Sequence, residues 1–133
     1  MGSETVQYPI EGHWVRSKAI ELTSGTIAVI DVPANTFIPP FGVVIDVVTL
    51  FAGGTPSIDV GDGSDTDGWI DTTNITETTA AMYAGTAAAG AAYSVTGKVY
   101  TSADTIDVVV STGLTAGKAY VFAYLVPIGD VLD

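Results

Sequence analysis

From Val43 to Phe51 the chain is apolar with two interruptions, Asp46 and Thr49. β-Branched and aromatic side chains suit a pleated surface, so this stretch predicts a strand. Alternate residues of a strand face opposite sides. One side carries Val43, Ile45, Val47, Thr49 and Phe51; the other carries Val44, Asp46, Val48 and Leu50. Both sides are largely apolar, which predicts a central strand covered on both faces. Ala52–Pro56 reads as a turn, and Ser57–Gly61 as a returning strand with Ile58 and Val60 opposite Asp59. A loop dense in Asp and Gly then leads to Trp69 and Ile70. The rest of the chain is expected to be organised around this stretch, Gly42–Asp71.

Similar alternation recurs elsewhere. Thr26–Val32 sets Ala28, Ile30 and Val32 against Ile27 and Val29; Thr105–Ser111 sets Ile106, Val108 and Val110 against Asp107. Ala119–Val126 sets Tyr120, Phe122 and Tyr124 against Val121, Ala123 and Leu125. Gly113–Gly117 joins the last two strands, which predicts that they pair. Weaker strand signals lie at Ala19–Leu22 and at Tyr93–Tyr100, the latter interrupted at Gly97. Phe37–Pro40 is extended, but its prolines donate no ladder hydrogen bond, so it is not expected mid-sheet. Glu77–Ala92 is rich in small residues. A helical turn over Thr78–Ala84, ended by Gly85, fits its start, and Thr86–Ala92 reads as a connection between sheets.

Residues 1–18 show no period. They read as an arm ahead of a domain over 19–133, with Tyr8-Pro9-Ile10 and His13-Trp14-Val15 as islands too short for elements of their own. Large aromatics are costly to leave in water, so Tyr8 and Trp14 are expected to dock on a surface. These patterns predict an all-β domain, a β-sandwich of about eight strands, jelly roll in preference to immunoglobulin-like. Its core should hold Ile27 or Ile30, Val43, Ile45, Val47, Ile58, Val60, Ile106, Val108, Val110, Val121 and Leu125.

Composition narrows the function more than the fold. The 133 residues suit one domain, and a hydrophobic share of 47% argues against disorder. No apolar run approaches the ~20 residues that span a bilayer, and the first residues lack a signal pattern. A soluble protein made in the cytoplasm is expected. The absence of cysteine excludes thiolate chemistry, and His13 as the single histidine removes most Ser-His-Asp and multi-histidine metal chemistry. Net charge is −11, and the cations are Arg16, Lys18, Lys98 and Lys118. Phosphate backbones need several cations on one surface, so neither nucleic acid nor an anionic membrane is an expected partner.

Gly61–Gly68 has the look of a calcium loop. Asp65, Asp67 and Gly68 fit the third, fifth and sixth positions of an EF-hand loop, but Gly63 stands first and Asn74 twelfth. Asp62, Asp65 and Asp67 are the weak calcium candidates; an acidic surface turn is the alternative. Trp69 either pins the loop to the core or, exposed beside the acids, stacks on a sugar. Asn74-Ile75-Thr76 matches a glycosylation sequon, relevant only in a eukaryotic secretory route. The carboxylates crowd one loop rather than facing each other across a cleft, so no catalytic residue, enzyme activity or cofactor is expected.

The order TIAVIDVPANTFIP, GVVIDVVTLF, IDVGDGSDTDGWI and GKVYTSADTIDVVVSTGLTAGKAYVFAYL resembles small β-rich structural proteins of tailed bacteriophages, of the capsid-decoration or head-fibre kind. The likeness covers roughly residues 19–127. It implies a virion structural role, a sandwich commonly of jelly-roll type, assembly into trimers and the major capsid protein as a partner. The alternative is a glycan- or calcium-binding module of a phage fibre or tail. Independently of the resemblance, the second apolar face of Gly42–Phe51 and that of Ala119–Val126 need a cover, which a neighbouring copy would supply. The candidate interface residues are Val44, Val48 and Leu50, with Tyr8 and Trp14 of the arm.

Overall fold

A computed structural model describes residues 5, 7, 9–21 and 24–128. Among these, nine strands form two antiparallel sheets. The strands are β1 (His13–Arg16), β2 (Gly25–Val32), β3 (Thr36–Ile38), β4 (Val43–Ala52), β5 (Ile58–Gly61), β6 (Ala81–Ala84), β7 (Lys98–Tyr100), β8 (Asp104–Val110) and β9 (Ala116–Pro127). One short helix, α1 (Ala92–Thr96), precedes β7. The small sheet runs β2–β8–β5. The large sheet runs β6–β4–β9–β3–β7, and β1 also pairs with β9. The fold is therefore an all-β sandwich.

The pairing is nested: β1 with β9, β2 with β8, β3 with β7 and β4 with β6. That is the order obtained by rolling up one long hairpin whose tip holds β5. It overturns the expected late hairpin, because β8 pairs with β2 and β5 whereas β9 pairs with β4, β1 and β3. The Gly113–Gly117 connection crosses between sheets instead of turning within one. The hub is thus β9 rather than Gly42–Asp71. The twelve-residue β9 takes β4 along one edge and β1 along the other.

Other expectations shift for local reasons. Phe37–Ile38 does lie mid-sheet, between β9 and β7, since Pro39 and Pro40 fall just past the strand and remove no ladder donor. Ala81–Ala84 is a strand on the edge of β4, not part of a helical turn. Tyr93–Thr96 belongs to α1, and only Lys98–Tyr100 is strand. The sheet also begins inside the stretch read as an arm. His13–Arg16 is β1, and Ser17 and Ile20 continue along β9 through bonds to Val121 and Ala119.

All the expected core residues are buried, with Ile30 in place of the half-buried Ile27. A bulge between Ala28 and Ile30 in β2 explains how both alternating sets of that strand serve the core. It shifts the parity, so Ile27 and Val29 pack against the core from one side of the bulge while Ile30 and Val32 are buried on the other. The exchange is favourable: one lost ladder bond costs about 1 kcal/mol, whereas each buried Ile or Val contributes roughly 1.5–3 kcal/mol.

Candidate functional site

The central strand β9 turns Val121, Ala123 and Leu125 into the core, so Tyr120, Phe122 and Tyr124 point to the outer side of the large sheet. Its neighbours add to this face. Trp14 lies opposite Tyr124, their rings 5.2 Å apart and edge to face. The Arg16 guanidinium sits 4.5 Å above the Tyr120 ring. Val44 lies opposite Phe122. Together Trp14, Phe41, Val44, Met82 and Phe122 line a groove of about 460 Å³.

Trp14 and Phe41 are each 54% exposed and Met82 59%. Phe41 has a positive φ of 56°, uncommon for a bulky aromatic. Its amide bonds to the Ser94 carbonyl at 2.9 Å, which ties the bend between β3 and β4 to α1. Strain of this kind tends to persist at functional surfaces. Of the candidate interface residues, the structure brings Trp14 and Val44 together in this groove. Val48 and Leu50 lie farther along β4, each 48% exposed. Register shifts after Val47 and after Thr49 leave Val48, Thr49 and Leu50 all exposed before Phe51 returns to the core. Tyr8 lies outside the described residues. Phe41 and Met82 were not legible as contact residues; neither sits in a periodic stretch.

The Asp-rich loop does different work. Gly61 opens it, and a Cβ there would lie 2.0 Å from the Asp65 carbonyl, so the turn requires glycine. Asp62 is buried and accepts from Lys98 Nζ at 2.6 Å, from Tyr100 Oη at 2.9 Å and from the amides of Ser64 and Asp65. Lys98 also donates to Tyr93 Oη at 3.0 Å, and Trp69 Nε1 donates to Tyr100 Oη at 3.0 Å. Burial would raise the Asp62 carboxyl, but these hydrogen bonds outweigh it and hold the carboxyl below its ordinary 3.8. Burial likewise opposes the charge of Lys98, and the bonds to Asp62 and Tyr93 overcome it, leaving the ammonium raised. Burial pushes the Tyr100 phenol up as well, so it stays protonated as a donor.

This network ties the loop after β5, in the small sheet, to β7 in the large one. It removes Asp62 from the calcium candidates, because its lone pairs are taken by Lys98, Tyr100 and two amides. Asp65 and Asp67 remain with Asp71 at the surface. Hydrogen bonding to Asp65 and then to Asp71 pushes the Asp67 carboxyl up to about 7. No group of three metal-ligating side chains occurs among the described residues. Trp69 is fully buried, which excludes the sugar-stacking expectation and satisfies the core-pinning one. Asn74, of the sequon, accepts from the Asp71 amide and donates to Thr86.

The geometry is that of a small sandwich with one open, aromatic sheet face. Three solved chains similar to this one come from phage capsids. A chain of the cyanophage Pam1 capsid matches with a TM-score of 0.59 and 12% identity, over 96% of this chain and 92% of that one. A chain of the acidic stable capsid of Helicobacter pylori bacteriophage KHP30 matches at 0.62 and 12%, over 86% of each. A chain of the Ralstonia phage GP4 capsid matches at 0.55 and 17%, over 96% and 92%. The shared residues cover nearly all of both chains, so these are small chains of similar length. At such identities the likeness is one of fold. No protein-family model and no curated protein matches.

Proposed function

We propose that the chain is a phage virion structural protein, a decoration or cement subunit that binds the head exterior as a homotrimer. Its role is structural rather than enzymatic, with the major capsid protein as partner. The observation that carries the reading is the uncovered apolar outer face of the large sheet. A folded domain that exposes Trp14, Phe41 and Met82 around one groove has a surface suited to protein contact. In this reading the copies meet through that face, with Val44, Val48, Leu50 and Trp14 in the contact. The fold shared with small chains of phage capsids supports the head as the location. The charge of −11 supports a place away from packaged nucleic acid. The fibre or tail alternative loses Trp69 as its sugar platform and Asp62 as its metal ligand. Among the described residues, no helix is long and apolar enough to cross a membrane.

Immunogold labelling of phage particles from the strain that carries the sequence tests the reading. Label on heads is expected. Label on tails would favour the fibre alternative, and unlabelled particles would overturn a virion role.

A further inference from the structure

A second groove, of about 450 Å³, opens on the side of the sandwich where both sheets end. One wall is β2. Among the described residues β2 pairs with β8 alone, so its second edge, eight residues long, offers unpaired amides and carbonyls. The opposite wall is the Lys18–Ile20 end of the stretch that follows β1 along β9. Ile20, Ile27, Val29 and Ile30 line the groove, with Lys18 and Asp31 also in its lining. The lining of this groove is mixed, polar as much as apolar, and a free strand edge beside such a groove can accept an added strand, main chain to main chain, with alternate side chains turned into it.

We infer that this groove receives residues 5–10 of a second copy of the chain as an added strand beside β2. The inference rests on the oligomeric reading above and deepens it. Three observations select this occupant. Residues 1–18 have no period as a whole, but within Thr5-Val6-Gln7-Tyr8-Pro9-Ile10 the side chains of Val6, Tyr8 and Ile10 would share one face of an extended segment, with Thr5, Gln7 and Pro9 on the other. The described members of that segment, Thr5, Gln7, Pro9 and Ile10, are exposed and unpaired on their own domain, Ile10 being 51% exposed. The route excludes the chain's own groove. The segment enters β1 at His13, opposite Leu125, whereas the groove lies by Ile20, opposite Ala119. It arrives over Tyr124, where a Cβ on Gly12 would meet the ring at 2.4 Å. Reaching the groove of its own domain would require the segment to reverse and run back the length of β1. A neighbour's segment has no such constraint. Six residues alone bind weakly, and the oligomer supplies the effective concentration that fills the groove.

Because the chain has no cysteine, single-cysteine variants report the contact cleanly. Gln7→Cys is mixed with Thr26→Cys, Ala28→Cys or Asp31→Cys, three exposed positions that cover the possible registers, and oxidised at micromolar concentration. The control partner is Ala88→Cys, exposed in the connection between β6 and α1. The expected result is a disulfide-linked two-chain product with at least one β2 variant, formed at least tenfold faster than with the control. Light scattering is run on the same samples. An oligomer with no cross-link above control overturns the inference and leaves the oligomeric reading standing. A monomer overturns that reading, and the inference with it. Cross-linking within one chain in Gln7→Cys/Ala28→Cys, at the expense of cross-linking between chains, also overturns the inference.

Discussion

Thr105, Asp107 and Val109 on β8 hold the same station as Tyr120, Phe122 and Tyr124 on β9. Each set is the outward row of the central strand of its sheet, and all six residues are half-buried. The rows differ in what they ask of their surroundings. On β8, Thr105 donates to Asp107, and the flanking strands contribute Asp59, Thr26 and Ala28, so water serves as the cover. On β9 the flanking strands contribute Trp14, Val44 and Arg16, the last stacked on Tyr120, and water is a poor cover for such a surface. Of the large apolar residues exposed among the described ones, Trp14, Val48, Leu50, Met82 and Val99 belong to strands of the large sheet and none to the small one. Burial alone does not separate the two faces; chemistry does. One sheet of the sandwich thus ends in a polar face suited to solvent, and the other in an apolar face that water covers poorly.

The largest effect is expected at the tie between the sheets. Lys98→Met leaves the Asp62 carboxylate buried without its cation. The expected loss is about 3 kcal/mol, the lower end for a broken buried pair, because Tyr100 and two amides still donate. Urea unfolding measures it. Adding Asp62→Ala to Lys98→Met should restore part of the loss, since the stranded charge is then gone. A single variant as stable as the wild type would show that the loop does not depend on the pair.

Much of this was legible from the residues, and the reasons differ by region. Period-two rows gave the core because a slip of one residue would bury Asp107 and expose Val108. The same rows gave the two-sided apolar character of β4 and β9. Pairing was not legible, because alternation says which face a residue takes and nothing about which strand lies beside it. Gly113–Gly117 has the composition of a hairpin turn and serves as a crossover. The bulges in β2 and β4 were likewise invisible, and they decide where Ile27, Val29, Val48 and Leu50 point. In the Asp-rich loop, composition suggested a metal or a solvated turn. The partner that removed Asp62 from either role, Lys98, is 36 residues away.

A smaller effect is expected at the acidic surface loop. Asp67 is held by Asp65 and Asp71 with its carboxyl raised to about 7. The folded chain then keeps a proton that the unfolded chain releases above 3.8. The sign follows: the stability this group contributes is fully present below 3.8 and is lost as pH rises towards 7. Melting of the wild type should therefore decline over that window, and Asp67→Asn should flatten the decline, a difference of no more than about 4 °C. Asp62 works oppositely. Its contribution is present above 3.8 and is lost as pH falls through its lowered value. Melting profiles of Asp67→Asn and wild type that coincide from pH 4 to 7 would mean that its neighbours do not raise the Asp67 carboxyl.

The unequal faces are compared most directly by size-exclusion chromatography with light scattering on the wild type and two single-charge variants, Val48→Lys and Val109→Lys. Both positions lie on outer strand faces; at the exposed Val48 the change should alter folding stability by no more than about 0.5 kcal/mol, and at the half-buried Val109 by about 1 kcal/mol. At 109 the new ammonium would lie opposite Asp59, its cross-strand partner. At 48 it would enter the apolar face. A trimer contact on the large sheet predicts about three times the chain mass of 13.6 kDa for the wild type and for Val109→Lys, and the single-chain mass for Val48→Lys. A wild type of single-chain mass at every concentration, or a Val48→Lys variant that stays assembled while Val109→Lys disperses, would contradict it.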